Sequence, residues 1–220
     1  GWQANQIKAA ENFKHTWFRN KINLKKDLKF DSQRDFVIIP EIYAHLAEDL
    51  FIKKNIRYAI FVQNGYAINS TSDSKKIEKA YNNARCILSY SKDISDCILI
   101  NFPKLKKKII RLSISVNFQK YKFKNKKKNL ITFMSRKLPH HSSKVVSILK
   151  RHLPRKWKIK DLNNITEKEV FKNLHQSKIF LSFSELEGLG IPPIEAALLK
   201  NHVIGYTGEG GKDYWSEPLF

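Results

Sequence analysis

Short apolar runs alternate with longer amphipathic stretches along most of this chain, and the alternation predicts strands and helices in turn. In the first half, Phe36-Val-Ile-Ile39, Tyr58–Val62 and Cys86–Tyr90 read as buried strands, and Ile109–Val116 alternates enough to be a fourth. Helices are predicted between them: from Pro40, a favoured first-turn residue, to about Asn55, then Ser74–Asn82 and Lys92–Ile100. The second half repeats the pattern, with strands at Leu130–Met134, Trp157–Lys160, Lys178–Phe183 and Val203–Tyr206. Its helices are Ser142–His152, Thr166–His175, where Thr166 and Glu169 make a capping box, and Pro192–Lys200. Residues 1–34, with Trp2, Phe13, Trp17 and Phe18 at loosely helical spacing, read as an irregular or helical lead-in. Strands alternating with helices imply parallel sheets. The expected fold class is therefore α/β, with two Rossmann-like doubly wound domains: residues 1–117, a basic linker 118–129, and residues 130–220. In such domains ligands bind beyond the carboxyl ends of the strands.

One junction in this pattern carries chemistry. The apolar strand Lys178–Phe183 ends, the backbone turns at Gly188-Leu189-Gly190, and a helix begins at Pro192, a favoured first-turn residue. A helix N-terminus beside bare backbone N–H groups suits a phosphate or diphosphate. Two carboxylates, Glu187 and Glu195, bracket the turn. They cannot hold a phosphate, but each can accept hydrogen bonds from vicinal hydroxyls. Together these parts describe a pocket for a nucleotide-sugar, set against an ordinary strand–turn–helix whose acids favour the helix start.

Composition adds a strong charge. The formal net charge is +21, from 41 basic and 20 acidic residues. No acid lies between Asp96 and Asp161, an interval holding 20 of the 41 Lys and Arg residues. Clusters at Lys104–Lys108 and Lys126–Lys128 look like exposed surface. Three accounts compete: docking on an anionic membrane surface, a solvated compositional bias towards lysine, and nucleic-acid binding. The last lacks a basic helix with interleaved aromatics, a zinc finger or a recognition motif. Cys86 and Cys97 make neither a disulfide framework nor a metal cluster, in keeping with reduced thiols in a cytoplasmic protein. No apolar run approaches the roughly 18 residues of a membrane span.

Glu187-Gly188-Leu189-Gly190-Ile191-Pro192-Pro193-Ile194-Glu195-Ala196 resembles the Glu-x7-Glu signature of retaining GT-B glycosyltransferases, particularly family 4. There it usually reads Glu-Gly-Phe-Gly-Leu-Pro-x-x-Glu-Ala. The likeness continues to Val203-Ile-Gly205 and Gly208-Glu-Gly-Gly-Lys-Asp-Tyr214. It implies a two-domain fold whose second domain holds the donor, with Glu195 on the ribose hydroxyls and Glu187 on the transferred sugar. The backbone of Gly188, Leu189, Gly190 and Ile191 would meet the diphosphate. The family's second domain opens with a strand, Gly-Arg and a nearby lysine. Here Ser135-Arg136-Lys137 follows the strand, so Arg136 matches, Ser135 replaces the glycine, and Lys137 or Lys144 stands in for the lysine.

In the first half Arg111–Asn117 resembles the family's interdomain segment, and Cys86–Ser91 the strand ending in Ser. Where many members carry a histidine, Gln63-Asn64 stands instead. His45, just inside a helix facing the same cleft, is the candidate sugar contact, beside a plain structural role. The family's first Gly-rich loop is missing, and the chain opens Gly-Trp-Gln, so the first domain is expected to be abbreviated or the chain a fragment. The implied reaction is metal-independent transfer of a sugar, with retention, from a nucleotide diphosphate-sugar to a glycan or lipid-linked hydroxyl, by a cytoplasmic enzyme expected at the inner face of the membrane as a peripheral protein. The rivals are a non-catalytic nucleotide-sugar binder and a polyanion-binding protein.

Overall fold

The computed structural model describes residues 6–7, 24–25, 29–70, 73–117, 121, 123 and 126–216. Among the described residues ten strands form three sheets, all with parallel pairing. Strands β1 (Gln6–Ile7) and β2 (Leu24–Lys25) pair with each other; the rest of the expected lead-in before residue 29 lies outside the described residues. The expected linker 118–129 is described only at 121, 123 and 126–129.

The first main sheet runs β3 (Phe36–Pro40), β4 (Arg57–Phe61), β5 (Cys86–Ser89), β6 (Ile109–Arg111) in simple order. Right-handed crossovers taken always in one direction place every connection on the same face. A single core records this: Ile39, Tyr58, Ile60 and Ile87 pack with Ile77 and Tyr81 of helix α1 (Ser74–Asn83) and Ile94 and Ile98 of α2 (Lys92–Asn101). On the opposite face Phe36, Ile38 and Ile110 stay exposed.

Two expectations here are corrected. The stretch from Pro40 to Asn55 is no regular α-helix but a 3-10 turn, Glu41–Leu46, followed by a wide π turn, Glu48–Ile52. Its buried positions explain this: Glu41, Ala44 and Ala47 recur every third residue, the period of a 3-10 helix. Ile109–Val116 pairs only as far as Arg111. Its neighbour β5 ends at Ser89, where the chain turns towards the Ser91 cap of α2, and one further bond, Leu112 N–H to Ser89 O at 2.7 Å, ends the ladder.

The second main sheet has the order β10 (His202–Gly205), β9 (Ser177–Ser182), β7 (Lys128–Phe133), β8 (Lys158–Asp161). It is covered on both faces. Helix α3 (Pro139–His152) packs Val146 on Ile131, Phe133 and Leu181. Helices α4 (Glu167–Gln176) and α5 (Ile191–Leu198) bury Leu174 and Ala196 against Phe180 on the other side. The expected capping box at Thr166 and Glu169 is present.

The two lysine clusters are not uniformly exposed, against expectation. Lys108 donates to the carbonyls of Asn82 (2.6 Å) and Ala84 (3.0 Å). Lys127 is half-buried and donates to Leu174 O (3.1 Å), Ser177 O (2.6 Å) and Leu199 O (2.7 Å), tying together the carboxyl ends of α4 and α5. Burial, then the neighbouring Lys200 ammonium, pushes its pKa down to about 8. Lys127→Met strips the donor from these carbonyls, so a loss of about 1–3 kcal/mol is expected in denaturant unfolding, and an unchanged midpoint would contradict the role.

Candidate functional site

The strand order creates the site. From β7 the chain crosses to β8 on one side, whereas β9 pairs on the other side of β7 and leads on to β10. Connections leaving neighbouring strands in opposite directions open a crevice beyond their carboxyl ends. Ser135, Arg136 and Lys137 enter it after β7, and the loop from Ser184 to Gly190 enters it after β9. The two meet directly, with Lys137 Nζ 3.4 Å from Glu187 Oε1 and side chains 39% and 23% exposed. Arg136 stands exposed next to Lys137, and Glu195 lies half-buried in the second turn of α5.

The helices bordering this crevice begin differently from the others. Helices α1, α2 and α4 are capped by the side chains of Asp73, Ser91 and Thr166. Helices α3 and α5, which follow β7 and β9, start at Leu138 and Gly190 with no side-chain cap, and neither has an acid in its first turn. A helix start without a cap leaves N–H groups and positive dipole for an anion. Two such starts, with Arg136 and Lys137 just before the first of them, can hold a negatively charged diphosphate, the N–H groups at α5 coming from the glycine turn and Ile191 because Pro192 and Pro193 have none.

The motif loop is held by backbone close approach. Gly190 has φ +77°, the left-handed region, and its carbonyl accepts from Tyr214 Oη at 2.6 Å. A Cβ on Gly188 would lie 2.0 Å from Gln63 O, so this residue is where the two sheets' loops touch. The Gly208–Tyr214 segment folds back onto the motif: Glu209 N–H donates to Glu185 O (3.2 Å) and Gly210 N–H to Glu187 O (3.0 Å).

Several residues here went unassigned in the sequence. Asp161, at the end of β8, accepts from Ser135 N–H (3.2 Å), Ser135 Oγ (2.5 Å) and Asn163 N–H (3.1 Å), and so fixes the turn that presents Arg136. Ser135 thus supplies an anchor where the resemblance leads one to expect glycine. Asp213 accepts from Lys92 N–H (2.8 Å) and Arg111 Nη2 (2.5 Å), joining the second half to α2 and to β6. Buried Glu41 accepts from the N–H groups of Gln63 (3.2 Å) and Asn64 (3.1 Å). Tyr90 Oη donates to Gln63 O at 2.5 Å; burial, then the charges of Glu41 and Glu187, pushes its pKa up to about 12, which keeps it a donor.

His45 is half-buried in the 3-10 turn, its Nδ1 shut from solvent and without a hydrogen-bond partner among the described residues. Glu41, one turn earlier, is the residue that reaches the cleft-side loop. A cavity of about 530 Å³ lies on the other flank of the motif, lined by Arg111, Ile114, Leu189, Ile194 and Tyr214. Neither Lys137 nor Glu187 borders it, but Leu189 of the motif turn does.

No protein-family model matches the chain, and no curated protein matches it in sequence. Solved structures do match in three dimensions. S. aureus TarM, crystallised with fondaparinux, alpha-GlcNAc-glycerol and UDP, superposes with a TM-score of 0.52 at 15% identity, over 79% of this chain and 42% of that one. The catalytic domain of starch synthase IV from Arabidopsis thaliana, bound to ADP and acarbose, gives 0.52 at 11% identity, over 84% and 59%. Sucrose-phosphate synthase from Thermosynechococcus elongatus gives 0.50 at 11%, over 77% and 55%. The fold is that of the GT-B glycosyltransferases. The chain spans about half the length of these GT-B neighbours.

Proposed function

We propose that this chain carries the donor site of a glycosyltransferase, moving a sugar from a nucleotide diphosphate-sugar to a hydroxyl of a glycan or lipid-linked acceptor. The observation that carries the reading is the convergence of two uncapped helix starts, α3 and α5, with Arg136 and Lys137 on one crevice that also holds Glu187. Arg136, Lys137 and the backbone of Gly188, Leu189, Gly190 and Ile191 take the diphosphate. Their charges and dipoles stabilise the departing phosphate as its bond to the sugar breaks, without a metal. Glu195 receives the ribose hydroxyls and Glu187 the sugar. Departure and attack on the same face of the sugar give retention.

A thermal-shift screen against UDP-, GDP-, ADP- and dTDP-sugars tests binding, because a ligand that binds only the folded state raises its melting temperature. At least one of these donors is expected to do so, and no shift with any of them removes the reading. A transfer assay with the stabilising donor then separates an enzyme from a non-catalytic binder. Glu195→Gln is expected to weaken nucleotide binding by about 1.5–3 kcal/mol, roughly 10- to 150-fold, in a protein that still folds. Unchanged affinity removes the ribose assignment.

The charged surface suits peripheral association with an anionic membrane. Among the described residues no helix is long and apolar enough to cross one. Ile100 is 79% exposed at the end of α2, and Lys104, Lys106 and Lys107 follow it, all exposed. Each lysine near an anionic surface contributes on the order of 1 kcal/mol. Binding to vesicles containing anionic lipid is expected at low salt, lost at high salt, and weakened when Lys104, Lys106 and Lys107 become Gln. Absence of binding at low salt leaves these lysines as solvated surface.

A further inference from the structure

The sequence departs from its resemblance at Gln63-Asn64, and the structure shows what this turn touches. It follows β4 and lies against the motif loop of the other half. On one side the buried Glu41 carboxylate, 4% exposed, accepts both of its N–H groups, and Tyr90 Oη donates to its Gln63 carbonyl. On the other side that same carbonyl is where a Cβ on Gly188 would collide, at 2.0 Å, and Asn64 Nδ2 donates to Leu186 O at 3.3 Å. Leu186 and Gly188 flank Glu187. The turn therefore touches the backbone on both sides of the carboxylate assigned to the donor sugar, while Lys137 approaches that carboxylate from β7.

A carboxylate that is buried and committed to two backbone N–H groups is spent on holding a shape. Glu41 does not reach substrate; it sets the height and tilt of a turn whose outer face is the seat of the motif loop. The amide of Asn64 is locked from behind as well, since its Oδ1 accepts from Tyr66 N–H at 3.0 Å. Both ends of the coupling are thus fixed by hydrogen bonds, and glycine at 188 permits the contact between backbones.

We infer that Glu41 and Asn64 are positioning residues, which act through the Gln63-Asn64 turn to seat the Leu186–Gly188 backbone and so aim Glu187 at the donor sugar. The inference rests on the proposed function for what Glu187 does, but not for the coupling itself. It places a determinant of transfer in the first half of the chain, at the position where Gln63-Asn64 stands in place of a histidine.

Hydrogen exchange tests the coupling without any ligand. In Asn64→Ala and Glu41→Gln, peptides covering Leu186–Gly190 are expected to exchange at least 10-fold faster than in the parent chain, while peptides covering β7 are unchanged. Asn64→Ala keeps the buried Glu41 in place, so it remains informative if Glu41→Gln folds poorly. Unchanged exchange at Leu186–Gly190 in a folded Asn64→Ala variant overturns the inference. With a donor that stabilises the parent chain, both variants are expected to lose at least 10-fold in kcat for transfer and to keep bare-nucleotide affinity within about threefold. Equal losses in both overturn the aiming of Glu187 and leave a general loss of structure. If the parent chain binds no nucleotide-sugar, the proposed function fails, and exchange alone decides the coupling.

Discussion

Glu187→Gln is expected to reduce sugar transfer about 100-fold or more while leaving the affinity for the bare nucleotide nearly unchanged. Removing one preorganised group that acts on the transition state typically lowers turnover by that order. The side chain is well placed for such a role: it is 23% exposed, faces Lys137 across the crevice at 3.4 Å, and its backbone carbonyl is fixed by Gly210 N–H at 3.0 Å. The substitution keeps shape and removes charge, so folding should survive. Equal losses of transfer and of nucleotide affinity would move Glu187 from the sugar to the nucleotide.

The second large effect is steric. Gly188→Ala places a methyl group 2.0 Å from Gln63 O and 3.0 Å from Ile94 Cδ1, and Gly210→Ala places one 2.0 Å from Gly188 O. In each case the obstacle is backbone, which cannot swing away as a side-chain tip can. Overpacking of this kind costs about 1–3 kcal/mol, and both variants are expected to melt earlier and to lose transfer more than tenfold, about 1.4 kcal/mol of barrier. Gly211→Ala is the control: its Cβ would find Tyr214 Oη at 3.3 Å as its nearest neighbour, so a smaller effect is expected. Wild-type melting and transfer in Gly188→Ala would show that the loops do not meet there.

What could be read in the sequence, and what could not, divides by distance along the chain. The strands around Phe36, Tyr58, Cys86, Leu130 and Lys178 were legible because a buried parallel strand is a short apolar run. The Thr166–Glu169 capping box was legible because its partners are three residues apart. The segment after Pro40 was misread because its apolar residues are compatible with an α-helix until one knows that Glu41, Ala44 and Ala47 all face inwards. Lys127 was misread because nothing in Lys126-Lys127-Lys128 says which ammonium meets the carbonyls of Leu174 and Leu199, 47 and 72 residues away. Glu41, Asn64 and Asp213 went unassigned for the same reason: their partners at the joint are 22, 122 and 121 residues distant.

By itself, then, the sequence determined the succession of strands and helices, the glycine turn at Gly188–Gly190 and the two carboxylates that bracket it. These follow from periodicity, turn chemistry and the stereochemistry of glycine and proline, all local properties. Only the tertiary structure decided the strand order β10-β9-β7-β8, and with it the crevice between β7 and β9 where Lys137 meets Glu187. It also decided that the uncapped starts of α3 and α5 border the same crevice, and that a turn of the first half seats the motif loop of the second. Strand order and the docking of loops arise from burying apolar faces contributed by segments far apart in the chain, and no short window of residues encodes that choice.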